Sequence, residues 1–282
     1  MPVSDVLPDL LAKAVLVAAL CAAAPAAAQT SDLVTRTSLR VCADPANLPF
    51  SNRKGQGFEN KIAELLAKDL NVQVEYTWFP QATGFVRNTL RAKACDIVMG
   101  YVAGGEPVQN TNPYYRSSWV LVYRMLSESG LDGVETLADE RLKGKRLGVV
   151  AGSPPATLLV RHGLIDRARP YPLTVDRRYQ SPAEKMLNDL VNGEIDAGLL
   201  WGPIAGYYVK RTKTPMAIVP LVKEKGEPPM AFRITFGVRH GELEWKHRLN
   251  DFIAKRRPEI NKILLDFGVP LLDEHDQRIT AP

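Results

Sequence analysis

Histidine and cysteine are scarce in this chain, with four and three among 282 residues. His162, His240, His247 and His275 show no metal-ligand spacing, so they read as surface or internally satisfied side chains. No Gly-x-Ser-x-Gly elbow occurs, which removes the usual α/β-hydrolase nucleophile. Lys143-Gly144-Lys145 lacks the glycines of a phosphate loop. Gly55 and Gly57 precede a helix, but Asn60 stands where a dinucleotide fingerprint carries its last glycine. Neither a catalytic set nor a cofactor motif emerges, and no cofactor or metal is expected. Charge of one sign is not in great excess, since 36 Lys and Arg against 31 Asp and Glu give +5. The basic residues are scattered instead of forming a stripe, which points away from nucleic acid and toward solubility or steering of an acidic partner.

Long apolar runs are missing except at the start. A weakly charged opening with Lys13 leads into an alanine-rich stretch from Ala14 to Ala24, then Pro25-Ala26-Ala27-Ala28. That run is too short to span a bilayer and ends in a small-residue cleavage pattern, so 1–28 reads as a secretory signal peptide with the mature chain starting at Gln29. Asp5 and Asp9 are untypical of such a leader. Cys21 follows the bulky Leu20, which argues against a lipid anchor. The expectation is a soluble periplasmic protein with no membrane span.

Export leaves Cys42 and Cys95, and an oxidising compartment favours a bridge between them. Strand register argues the other way. Level parallel pairing would leave the two about three residues, roughly 10 Å, apart, whereas a disulfide needs Cα atoms within about 7 Å. The register argument is given the greater weight.

From Ser38 short β-rich runs alternate with helical periodicity, the pattern of an α/β sheet with crossover helices. Strands are expected at Leu39–Ala43, Val72–Trp78, Asp96–Gly100 and Trp119–Tyr123. Ile62, Leu65, Leu66 and Leu70 share one face of a helix opened by Gly57-Phe58-Glu59-Asn60, and a second helix is expected from Gly84 to Ala94. After a polar connector from Ser127 to Gly133 a new series starts with a strand at Arg146–Val150. Ser153 then caps a helix whose prolines are tolerated only at its start. A helix at Pro182–Asn192, a strand at Ile195–Leu200, a helix at Gly202–Lys210 and a strand at Met216–Val222 follow. The chain crosses back through Lys223–Pro229 to a strand at Phe232–Val238 and two amphipathic helices, Glu242–Arg256 and Pro258–Asp266.

The order and spacing of Leu39-Arg40-Val41-Cys42-Ala43-Asp44, Gly57-Phe58-Glu59, Asn112-Pro113-Tyr114-Tyr115, Leu142-Lys143-Gly144-Lys145 and Asn192-Gly193-Glu194-Ile195-Asp196 resemble those of family 3 bacterial solute-binding proteins. A tighter likeness is to the periplasmic J proteins of the MxaJ and XoxJ type, encoded beside quinoprotein methanol dehydrogenases. It rests on the block from Cys42 to Asn52, on Tyr76-Thr77-Trp78-Phe79-Pro80-Gln81, on Gly84 to Leu90 and on Cys95 to Gly100. The resemblance implies a type II periplasmic binding protein fold: two α/β lobes, 29–124 plus 228–282 and 125–227, joined by a two-strand hinge that closes on the cleft. It also implies an accessory of a PQQ-dependent methanol dehydrogenase, with that enzyme, and its cytochrome c, as partners in methanol oxidation.

In amino-acid binders of this fold an Arg grips the ligand carboxylate. Here the matching stretch is Ala103-Gly104-Gly105-Glu106-Pro107-Val108, and Trp201 stands where an Asp would take the ammonium. Both anchors are absent, which counts against amino-acid uptake. The implied topology turns Asp44, Asn47, Phe50, Trp78, Phe79, Met99, Tyr101, Ser153 and Trp201 toward the cleft, an aromatic and weakly charged set. Each also has a plainer role: core packing for Trp78 and Phe79, loop capping for Asp44, helix capping in place of anion binding for Ser153. Two other functions fit the same scaffold, a transporter receptor for a small non-amino-acid solute and a dehydratase-like enzyme, because fold alone does not decide function.

Overall fold

The computed structural model describes residues 34, 37–126 and 129–282. The expected signal peptide, Cys21, the cleavage site, and residues 127 and 128 of the connector lie outside the described residues.

The apolar strand β1 (Ser38–Ala43) is buried along most of its length and leads to a ribbon of β2 (Ala46–Asn47) and β3 (Ser51–Asn52). Helix α1 (Phe58–Leu70) packs Ile62, Ala63, Leu66 and Ala67 inward. Its start is set by Gly57, whose N–H donates to Asn60 Oδ1 at 3.1 Å. A Cβ there would stand 1.9 Å from the Phe50 carbonyl oxygen, so only glycine fits. Asn71 ends the helix in the left-handed region at φ 57°. Strand β4 (Gln73–Trp78) then pairs parallel with β1, Ala43 level with Trp78.

The helix expected from Gly84 to Ala94 is only one turn, α2 (Phe85–Asn88). Thr89 Oγ1 donates to the Phe85 carbonyl at 2.7 Å, and Thr89 itself leaves helical geometry at ψ −81°. The turns that follow also correct the cysteine reading, because Cys42 and Cys95 form a disulfide with Cα atoms 5.4 Å apart. Cys42 is level with Val98 of β5 (Ile97–Val102), as the register argument assumed. Cys95 precedes that strand, however, in a bend with Lys93 at φ 58°, so the rise per residue of an extended strand does not apply to it.

Strand β6 (Gln109–Arg124) is sixteen residues long and serves both halves of the molecule. Its first part runs antiparallel to β11 (Ala231–Val238), with Ser118 level with Ala231. From Trp119 onward its partners are β9 (Ala197–Trp201) and β10 (Met216–Pro220). The series between comprises β7 (Leu147–Val150), α3 (Pro154–Arg161), β8 (Ala168–Tyr171), α4 (Pro182–Val191), β9, α5 (Gly202–Val209) and β10. The chain closes with α6 (Leu243–Lys255) and α7 (Arg257–Asp266). The strand order is β4-β1-β5-β11-β6-β9-β7-β8. β8 was not expected, since Pro170 and Arg169 disguise it; both are tolerated because it is an edge strand.

Separate cores lie on either side of the partner change. Val41, Ile62, Met99, Phe236 and Trp245 belong to one. Leu147, Leu158 and Leu199, and Met186, Leu190 and Leu200, belong to two others on the second half. This is the two-lobed type II binding-protein fold. Both crossings meet at one residue: Trp119 donates its N–H to Met230 and accepts from Leu221, at 2.8 and 2.9 Å.

Candidate functional site

Two adjoining chambers open where the halves face each other, and the end of β9 builds their common wall. Trp201 is level with Trp119 on β6, their ring centres are 5.9 Å apart, and Phe232 of β11 stands 5.9 Å from Trp201 on the other side. The larger chamber, about 570 Å³, has an apolar floor of Trp119, Trp201, Ile204 and Tyr208 and reaches Asn47. The smaller, about 310 Å³, is lined by Phe50, Glu59, Tyr101, Tyr115, Trp201 and Phe232, among others.

Four of the nine expected cleft residues, Asn47, Phe50, Tyr101 and Trp201, therefore line one or both chambers. Asp44 lines neither chamber and organises the loops beside β1. It accepts from the Ala46 and Gln81 amides at 2.8 and 2.7 Å and from Arg177 at 3.4 Å, while Gln81 Oε1 accepts from Asn47 Nδ2. Trp78 lines neither chamber; it stacks on Tyr76 at 4.6 Å beneath the Arg53 guanidinium. Phe79 packs against the cluster around Cys42 and Phe85. Met99 is corrected outright, since its side chain is 1% exposed in the first core. β5 is buried on both faces at that point, so strand alternation does not turn Met99 into the cleft.

Ser153 is corrected as well. It occupies the N-cap position of α3, but its hydroxyl donates to the Val150 carbonyl at 2.6 Å and makes no cap bond. Pro154 and Pro155 remove the first two amides, and Ala156 N–H is taken by the Ser153 carbonyl, so neither a side-chain cap nor an anion finds donors there.

The expectation of a weakly charged cleft fails for the larger chamber. Arg53, Lys54 and Arg177 line it against a single acid, Glu184. Arg53 and Lys54 follow directly on the quoted block, which ends at Asn52, and were not assigned to the site, and Arg177 lies in a loop with no periodicity to place it. The smaller chamber has the opposite character. Its acid, Glu59, is 8% exposed, and burial, reinforced by the charge of Asp44, pushes its pKa up to about 8. Glu59 was visible only as part of the Gly57-Phe58-Glu59 block. The signal that finds it is Gly100, where a Cβ would lie 2.3 Å from Glu59 Oε1, so the missing side chain makes room for the carboxyl.

No protein-family model matches the chain. Among solved structures, the periplasmic binding protein XoxJ from Methylobacterium extorquens AM1 is 42% identical with a TM-score of 0.71, covering 84% of this chain and 100% of that one. MxaJ from Methlophaga aminisulfidivorans MPT is 28% identical with a TM-score of 0.73, covering 83% of this chain and 100% of its own. Among curated proteins, MoxJ of Methylorubrum extorquens is 29% identical over 278 residues, 90% of this chain and 91% of that protein.

Proposed function

This chain belongs to the XoxJ and MxaJ type of periplasmic binding proteins, and from that premise we propose that it is a non-enzymatic accessory of a PQQ-dependent methanol dehydrogenase in the periplasm. Its task is to hold a segment of the dehydrogenase in the cleft while the enzyme is activated or matured. The observation that carries this reading is the larger chamber, where a floor of Trp119, Trp201 and Tyr208 is edged by Arg53, Lys54 and Arg177. Such a surface suits an apolar segment flanked by acidic residues, with aromatic rings supplying affinity and the basic edge steering approach. Residues 1–28 would be removed on export, and the dehydrogenase's cytochrome c is the second candidate partner.

The experiment is co-production of the dehydrogenase with and without this chain. The accessory role predicts more active enzyme when both are made, and equal activity would refute it.

A transporter receptor is the second reading, favoured only by the smaller chamber, whose 310 Å³ suits a small solute. A dedicated receptor would gain thermal stability with one metabolite, since a ligand at one hundred times its Kd adds about 2.7 kcal/mol. It would leave dehydrogenase activity unchanged.

A further inference from the structure

The smaller chamber contains a group for which the dehydrogenase reading gives no role. Among the described residues no hydrogen bond or ion pair reaches the Glu59 carboxyl, although the side chain is 8% exposed. An unpaired buried polar group is costly. Its place is nevertheless built for it, because Glu59 Oε1 rests where any side chain at Gly100 would stand. The rest of the lining is largely apolar and aromatic, with no basic side chain. Tyr101 does not compete for the carboxyl, since its hydroxyl donates to the Glu106 carbonyl at 2.9 Å.

The neighbouring titratable groups do not neutralise Glu59. Asp44 bears on it as a like charge and is itself held by two amides and Arg177. Tyr76, Tyr114 and Tyr115 have their phenols shifted upward by burial, with the charge of Glu59 adding to the shift. Glu59 is therefore a neutral acid at neutral pH, with a proton to donate into the chamber. An anion would find no basic side chain in the lining to pair with. A cation would have to give up its hydration and ionise Glu59 inside an apolar wall.

We propose that the smaller chamber binds a small, flat, uncharged molecule carrying a carbonyl oxygen, its ring against Trp201 and Phe232 and its oxygen accepting a hydrogen bond from Glu59. The volume of about 310 Å³ is roughly twice that of a cavity known to hold benzene, so one or two rings fit. This site goes beyond the accessory role and does not depend on it.

The test uses the isolated mature protein with three probes, acetophenone, ethylbenzene and phenethylammonium, followed by ligand-observed NMR or tryptophan fluorescence. At pH 7 acetophenone should bind several-fold more tightly than ethylbenzene. Its affinity should fall about tenfold between pH 7 and pH 9 as Glu59, with its pKa at about 8, ionises. Glu59→Gln keeps a donor and cannot ionise, so it should bind acetophenone with no such fall. The pH series on the unaltered chain needs no variant, which guards against one that fails to fold. Equal affinity for acetophenone and ethylbenzene, binding of neither, or a flat pH profile would overturn the proposal. So would tighter binding of phenethylammonium that strengthens as pH rises. The dehydrogenase is absent from every arm, so failure here leaves the accessory reading untouched.

Discussion

The two chambers share Trp201 and Trp119 as a wall and differ in the charge placed around it. The larger is open to Arg53, Lys54 and Arg177, cations that remain solvated at its edge. The smaller hides one carboxyl, Glu59, away from any counter-charge. On the proposed reading the same aromatic surface serves two kinds of occupant, a steered acidic segment on one side and a neutral ring on the other. What separates them is a handful of polar side chains, and each can be changed alone.

The largest expected effect concerns the buried acid. Glu59 has a folded-state pKa of about 8, above the value of 4.5 it has as an unperturbed group. Between those values the unfolded chain has lost the proton that the folded chain keeps, so stability falls as pH rises through that window, by at most about 1.4 kcal/mol per pH unit. Below pH 4.5 both states are protonated and the penalty vanishes. Denaturant titrations from pH 4 to 8 should show this slope in the unaltered chain and lose it in Glu59→Gln. An unchanged slope would mean that Glu59 has a counter-charge after all, and the contrast between the chambers would collapse.

Next comes the shared wall. Trp201→Ala should cost about 2 kcal/mol of affinity for a partner segment and should weaken ring binding in the smaller chamber too, because the side chain lines both. Loss from one chamber only would show that the wall is not shared in function. A more selective effect is expected from Gly100→Ala, whose Cβ would press on Glu59 Oε1. Overpacking of this kind typically costs about 1–3 kcal/mol of stability. It should abolish acetophenone binding while leaving partner affinity unchanged, as a paired titration would show. The smallest effect belongs to Arg177→Ala, at most about 1 kcal/mol of partner affinity because its side chain is 39% exposed. That loss should disappear at high salt, and the smaller chamber should not register it.

Much of this architecture was legible in the residues. Sequence pattern located β1, α1, β4, β9 and the closing helices, because the helices and β4 have one buried face and β1 and β9 are short apolar runs buried on both. Trp201 was legible as a cleft residue because it ends a buried strand. Most of what escaped depended on partners distant in the chain. The Cys42–Cys95 bridge requires Cys95 to sit in the bend before β5, a local geometry that strand register cannot express. Ser153 was misread because the prolines that mark a helix start also remove the amides a cap would serve. Arg177 comes from a loop between β8 and α4 and enters the site only when the halves face each other. Glu59 looks like an ordinary first-turn acid until Gly100, on a neighbouring strand, is seen to leave space for it.

The central claim, that the aromatic cleft engages a methanol dehydrogenase, is tested most directly by calorimetric titration of the purified mature chain with the quinoprotein methanol dehydrogenase of the same organism. The account predicts a saturable complex that Trp201→Ala weakens about thirtyfold, the equivalent of 2 kcal/mol, with both proteins correctly folded by circular dichroism. No detectable complex, or a complex that Trp201→Ala leaves unchanged, would contradict it.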